Sequence, residues 1–484
     1  MMAVLGFILM FAIGLPAVKL ADPAGGRGPR WAAVTLEIAL ACGLGAGVTG
    51  VMYFLVVVAG AGNRWVVLGA EAALAALLWL VWWRRRNTVG AAEGAAPETG
   101  WRWNPVLLGV VAFTLLIALL VQVDTLRASP YGQWDAFTVW NLRARFLAGP
   151  GDAWQFAVSR IAASAQPECP PLLSAFVARG WTLGGDTTTP VVPGAIALLF
   201  YWMTAATLGA SVALTRTVSG GLLALLVFGA TKSIIQQATW QYPDVPLGCF
   251  LLGSFALLAV SSRPGPVALA GAFASLAALL KNEGTVYLAA ITIGYLGFSW
   301  WREGRAEMWR RARWWLAGAA PGILLLAGFK LFLAPDTGPF AGQTAAQIGA
   351  RLLQVERASR LGVLLLEELA KLGWGVSHPL VLLIILAAGL RFSRAPRARL
   401  AAGAGFAMLA LAALLCSGLH VAMPNSALAG VRASMTSMYT HLWPAFLMVT
   451  FLALRPPRTE AADQAADETA AGDRKHKGNK KKRR

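Results

Sequence analysis

Residues 105–123 read PVLLGVVAFTLLIALLVQV, nineteen residues without a charge. That length matches the roughly 20 apolar residues that an α-helix needs to cross a bilayer's hydrocarbon core. Comparable runs recur along the whole chain of 484 residues, 57% of them hydrophobic and only 13% charged. Such a composition is too apolar for a soluble protein of this size. A transmembrane barrel would show short alternating segments instead, and none are present. The expected fold class is therefore all-α, a polytopic transmembrane helical bundle with short amphipathic helices in one extracytoplasmic loop. Thirteen spans are expected, near 2–18, 32–60, 65–83, 105–123, 191–212, 219–236, 245–260, 266–280, 285–300, 314–333, 374–390, 400–420 and 438–454. The second is long enough to be tilted, or broken at Gly43-Leu44-Gly45. The chain divides into N-terminal membrane helices (1–104), a membrane core (105–455) and a basic tail (456–484) poor in large apolar residues and expected to be disordered.

Lysine and arginine set the expected sidedness. Basic clusters follow the third span (Arg84–Arg86), the ninth (Arg302–Arg313) and the eleventh (Arg391–Arg399), and a fourth ends the chain at Arg474–Arg484. With thirteen spans all four fall on one side, which the positive-inside rule makes cytoplasmic. The formal charge of +19 then reads as attraction to an anionic membrane leaflet, since no nucleic-acid-binding signature accompanies it. The N-terminus, the loop from Asp124 to Pro190 and the segments around 240–244, 281–284, 335–360 and 422–437 are expected outside. Met1–Leu20 lacks a basic leader and reads as a first span rather than a cleaved signal. The four cysteines, Cys42, Cys169, Cys249 and Cys416, show no CxxC spacing and read as small packing residues.

Chemistry-bearing residues gather on the expected outer side. Trp134-Asp135 opens the long loop and precedes an amphipathic stretch with Asn141, Arg143 and Arg145. Its bland reading is an interfacial aromatic anchor with a solvated acid. Glu168 precedes Pro170-Pro171, which rigidify the chain. Tyr242 and Asp244 stand at the start of an apolar run, where the acid has a plain use as a helix cap. Lys281, Asn282 and Glu283 lie between two short apolar runs; ionisable groups at such depth are functional candidates, and an internal Lys281–Glu283 pair is the bland alternative. Arg432 and His441 complete the set. A carboxylate here can deprotonate a hydroxyl, and a cation can hold a phosphate leaving group.

In this order, Trp134-Asp135, the 167–173 stretch PECPPLL, the 242–247 stretch YPDVPL and the 281–284 stretch KNEG resemble integral-membrane glycosyltransferases of the GT-C superfamily. The similarity is greatest to bacterial relatives of the dolichyl-phosphate-mannose protein mannosyltransferases, and it covers about residues 105–455. The resemblance implies a polyprenyl-phosphate-linked sugar as donor and an extracytoplasmic site in a bacterial inner membrane. It makes Asp135 the catalytic base and implies inversion at the anomeric carbon. Lys281 and Arg432 are then expected to hold the phosphate. Trp134, Arg143, Tyr242, Asn282 and His441 are further substrate-binding candidates, and Glu168, Asp244 and Glu283 would orient the sugar or a metal. A divalent metal is a candidate cofactor; none is certain. The acceptor is a glycan, lipid or protein. Two departures stand out: Ala136 follows Asp135 where many relatives carry a second acid, and the helices before residue 105 have no counterpart. The competing reading is a transporter or flippase for a lipid-linked or anionic substrate, which would place acids and bases in mid-span; Glu37 and Glu71 are the residues that fit it. A non-catalytic scaffold would have no use for the charged, proline-rich loop.

Overall fold

The computed structural model describes residues 2–26, 28–89, 104–373, 378–424 and 428–455. The basic tail expected from 456 onward lies outside them. The described residues form eighteen α-helices and no β-strand. The first four are α1 (Met2–Ala21), α2 (Arg30–Val58), α3 (Arg64–Val89) and α4 (Pro105–Ala128). The loop region carries α5 (Asn141–Leu147) and α6 (Leu172–Gly184), with a π-helical turn at Ala136–Trp140 and two 3₁₀ turns between Gly151 and Ala165. Next come α7 (Val191–Thr215), α8 (Val218–Gly229), α9 (Lys232–Thr239), α10 (Asp244–Val260), α11 (Pro264–Ala278), α12 (Asn282–Glu303) and α13 (Arg305–Phe332). Two amphipathic helices, α14 (Ala345–Leu352) and α15 (Val355–Leu369), precede α16 (Pro379–Leu390), α17 (Pro396–Ala422) and α18 (Leu428–Ala453).

Each expected span overlaps helix, with 374–377 of the eleventh outside the described residues, but fewer helices suffice to cross a membrane. Among the described residues seven do so by length and composition: α1, α2, α3, α4, α7, α13 and α17. An eighth arises if α8 and α9, bent by 67° at their junction, count as one. The helices α10, α11 and α16 are apolar but only 12 to 17 residues long. At 1.5 Å per residue they reach roughly 18–26 Å, short of a ~30 Å hydrocarbon core. The remaining two expected spans, α12 and α18, are long, yet the first carries Asn282, Glu283, Arg302 and Glu303 at its ends and the second carries Arg432 and His441. The chain is thus a helical membrane protein by its seven long apolar helices. The second helix is continuous through Gly43-Leu44-Gly45.

Proline and small polar residues set the helix starts. Pro105, Pro264, Pro379 and Pro396 open α4, α11, α16 and α17, where proline has no hydrogen bond to lose. Asn104 caps α4 by accepting from the Leu107 N–H. At the centre stands α10, buried on nearly all sides and packed against α7, α11 and α18. Helix α11 lies close against α13 because Gly271 and Gly318 carry no side chain: a Cβ at either would fall 2.3 and 1.7 Å from a facing backbone carbonyl. The N-terminal helices are not set apart. Helix α2 packs on α6 and α7, and α1 packs on α3, α6 and α11. A buried ion pair ties them in: Arg179 on α6 holds Glu71 on α3 (Nη2–Oε2 2.6 Å) and also donates to the Gly6 carbonyl on α1 (2.8 Å).

Helices α12 and α13 run in opposite directions through a one-residue turn at Gly304. The Arg302–Arg313 run therefore sits at one end of both. The start of α12 and the end of α13 meet at the other, beside the beginning of α10.

Candidate active site

Two tight turns are stitched together at that end. The Gln133 N–H donates to the Trp240 carbonyl (3.3 Å), and the Gln241 side chain donates to the Pro130 carbonyl (2.9 Å). The same Gln241 side chain accepts from Asn141 (2.9 Å). Gly132, at φ +78, permits the approach, since a Cβ there would fall 2.6 Å from the Trp240 carbonyl oxygen. Gln241 itself adopts a left-handed φ of +64, a conformation that costs a non-glycine residue about 1 kcal/mol or more. The expected amphipathic helix after Pro130 is present as the π-helical turn and α5, with Ala136, Val139 and Trp140 buried. This geometry brings Asp135 over the start of α10. Its backbone N–H donates to Tyr242 Oη (3.1 Å). Its carboxylate is half-buried and has no hydrogen-bond or ion-pair partner among the described residues. Burial pushes the Asp135 pKa up, and the Asp244 charge adds to this while Lys281 opposes it. Trp134 next to it is 69% exposed, its ring edge against Phe137.

Below Asp135 lies a buried charge network. Asp244 opens α10 but does not cap it; its Oδ1 accepts from His441 Nε2 (2.7 Å) and Lys281 Nζ (3.3 Å). Lys281 also pairs with Glu283 (3.4 Å). Burial alone would lower the Lys281 pKa, but Asp244 and Glu283 together outweigh it and hold the ammonium charged. The His441 ring continues the chain: its Nδ1 lies 3.2 Å from Tyr287 Oη. With Asp244 Oδ1 at Nε2 and Tyr287 Oη at Nδ1, the ring's orientation is fixed, and Tyr287 Oη also lies 3.6 Å from Cys416 Sγ.

The 167–173 stretch closes the cluster on one side. Glu168 accepts from the Thr337 hydroxyl (2.9 Å), and Asn282 Nδ2 faces Cys169 Sγ (3.4 Å). Lys330, in the last turn of α13, donates to the Glu168 carbonyl (2.6 Å) and to Asn282 Oδ1 (2.7 Å). The Leu172 N–H reaches back to the Leu279 carbonyl at the end of α11 (3.1 Å).

Trp134, Asp135, Glu168, Tyr242, Asp244, Lys281, Asn282, Glu283 and His441 thus meet in one place although they span three hundred residues of sequence. Two expected ligands do not join them. Arg143 is wholly buried and braces the loop by donating to the Cys169 (2.8 Å) and Ala157 (3.2 Å) carbonyls, so its guanidinium is not presented to a substrate. Arg432 is held by Glu367 and Glu368 of α15, which neutralise it. Lys281, too, already faces two carboxylates, which leaves it little net charge for a phosphate. Among the described residues no three of His, Cys, Asp and Glu are grouped so as to hold a metal ion.

Three participants were not expected from the sequence. Gln241 adjoins the Tyr242–Asp244 motif and carries the turn. Tyr287 is one helical turn beyond Glu283. Lys330 is a single lysine at the end of an apolar run, a pattern that equally describes a snorkelling side chain. Compared with models of protein families, with curated proteins and with solved structures, the chain gives no match.

Proposed function

We propose that the chain is a membrane glycosyltransferase of GT-C type. In this reading it transfers a sugar from a polyprenyl-phosphate-linked donor to a hydroxyl acceptor on the extracytoplasmic face of a bacterial inner membrane. The observation that carries the reading is the state of Asp135. It is the one acid of the cluster that is half-buried, unpartnered and raised in pKa, while Asp244, Glu283 and Glu168 are engaged. A general base needs that combination: a free carboxylate of increased basicity that is still open to solvent. Asp135 would take the acceptor's proton as its oxygen attacks the anomeric carbon and the phosphate leaves in a single inverting displacement. The Asp244–Lys281–Glu283–His441 network would hold the sugar hydroxyls and keep the α10–α12 ends fixed, since pre-set dipoles need not reorganise in the transition state. Trp134 offers an exposed ring face for a sugar or prenyl unit.

The direct test is sugar transfer by the purified full chain from polyprenyl-phosphate sugars to candidate acceptors, with loss of donor as the readout; a chain that consumes none of them is not such an enzyme. The orientation has its own test. Cys169 is buried and cannot report, so a cysteine is placed at Ile161, which is 84% exposed, and another at Arg310. The Ile161→Cys protein labels from outside the cell with an impermeant thiol reagent, and the Arg310→Cys protein does not; the reverse pattern would turn the site inward.

A further inference from the structure

An apolar cavity of about 320 Å³ lies between α2 and α13. Gly50 and Phe54 line it from α2, Gly328, Phe329 and Phe332 from α13, and Leu172 from the start of α6. Its head meets the polar cluster within a few residues: Pro171 and Leu172 lie three and four residues after Glu168 in the PECPPLL stretch, and Lys330 follows Phe329 directly. Lys330 also differs from the cations considered above. Lys281 faces two carboxylates, Arg432 faces two glutamates, and Arg143 is sealed in the loop. Lys330 is exposed by area and donates to two neutral oxygens, the Glu168 carbonyl and the Asn282 amide; no carboxylate among the described residues forms an ion pair with it, and the Glu168 charge acts on it only at longer range. An ammonium without an ion-pair partner, at the head of an oily groove, matches an anionic head on an apolar chain. A second, larger groove of about 470 Å³ runs along α15–α18 past Phe406, Tyr439 and Trp443, but no charged residue lines it.

We propose that the α2–α13 groove seats the first isoprene units of a polyprenyl phosphate, with Lys330 Nζ against its phosphate. The inference rests on the glycosyltransferase reading and adds to it the donor's seat and the cation that serves it. It also gives the N-terminal helix α2 a part in substrate binding.

The test uses the full chain in lipid nanodiscs and a polyprenyl phosphate carrying a diazirine in the isoprene unit next to the phosphate. Photolabelled peptides are mapped by mass spectrometry. Labelling is expected within residues 50–58 and 324–333, displaced by unlabelled polyprenyl phosphate and not by phosphatidylglycerol. Lys330→Met should weaken binding about 10- to 100-fold, the scale of one charge-assisted hydrogen bond. Gly328→Leu is the groove-filling variant: Gly328 lines the groove and a Cβ there meets no atom within 4 Å, and recovery of folded protein at the wild-type level is checked alongside. It should cut labelling and raise the donor KM more than it lowers kcat. Labelling along α15–α18, displacement by phosphatidylglycerol, or a Gly328→Leu protein that binds as tightly as wild type overturns the groove assignment, even if the wild type transfers sugar. Conversely, displaceable labelling in this groove by a protein that transfers no sugar supports the prenyl-phosphate site and removes the glycosyltransferase reading.

Discussion

Two buried charge clusters in this protein look alike in composition and differ in balance. Arg179 and Glu71 form a closed pair: one cation, one anion, two parallel hydrogen bonds, and a third to the Gly6 carbonyl. Nothing is left over. The cluster around Asp244 has two carboxylates against Lys281, a histidine bridging to Tyr287, and the unpartnered Asp135 carboxylate above it. Burial of charge is common to both, so burial alone does not mark a site. What separates them is the unspent group. A balanced pair joins helices; an acid left half-open and without a partner is available to a substrate. The transporter reading drew on Glu37 and Glu71 as mid-span acids, and both are paired, Glu37 with Lys19 and Glu71 with Arg179.

The sharpest way to break this contrast is to unbalance the pair that is balanced. Arg179→Met leaves Glu71 buried without a partner, and loss of one member of a buried ion pair costs about 3–5 kcal/mol. Folded protein recovered from membranes should fall steeply, and the double variant Arg179→Met with Glu71→Met should recover most of it. Recovery of the single variant at wild-type levels would mean that the pair is not holding α1, α3 and α6 together. Turnover per folded molecule should change little in the double variant.

The second effect is smaller and belongs to the unbalanced cluster. In the proposed mechanism Asp135 works as a base, and it does so only when ionised. Its pKa is raised, chiefly by burial and also by Asp244, so activity should fall with decreasing pH and begin to fall above the ordinary aspartate range near pH 3.9. Asp244→Asn removes a negative charge that favours the protonated form of Asp135. The acid limb of the pH–rate profile should then move to lower pH. A limb that stays put, or moves up, would show that Asp244 does not act on the titrating group.

The smallest effect is positional. Tyr242 Oη accepts the Asp135 backbone N–H, a neutral hydrogen bond whose net value is about 0.5–1.5 kcal/mol. Tyr242→Phe should lower turnover only about 2- to 10-fold, with no change in the pH profile. A loss as large as that from altering Asp135 itself would make Tyr242 more than a support.

Much of this was legible in the sequence, for physical reasons that differ by feature. The helices follow from apolar runs and proline starts, and each of the thirteen expected segments overlaps helix among the described residues. How many cross a membrane was less legible, because α10, α11 and α16 are apolar yet short, and hydropathy alone does not register that a helix ends inside its neighbours. The gathering of Asp135, Glu168, Asp244, Lys281 and Glu283 was readable from the type and order of their motifs, since each sits where an apolar run begins or ends. Charge compensation was not readable. Arg432 and Arg143 look like free cations in sequence, and only the fold brings Glu367 and Glu368 to the one and buries the other beneath backbone carbonyls. The same blindness hid Lys330, whose lack of a carboxylate partner is a property of three-dimensional neighbours.

In the proposed reaction Asp135 is the unspent base of the cluster. The measurement is sugar transfer from a polyprenyl-phosphate donor by equal amounts of folded wild-type and Asp135→Asn protein. Asparagine keeps the size of the side chain and cannot take a proton. Loss of a positioned acid–base group lowers rates by about 10²–10⁴, so transfer should fall by that factor while donor binding persists. An Asp135→Asn protein within a few-fold of wild type would contradict the account and remove this residue from the chemistry.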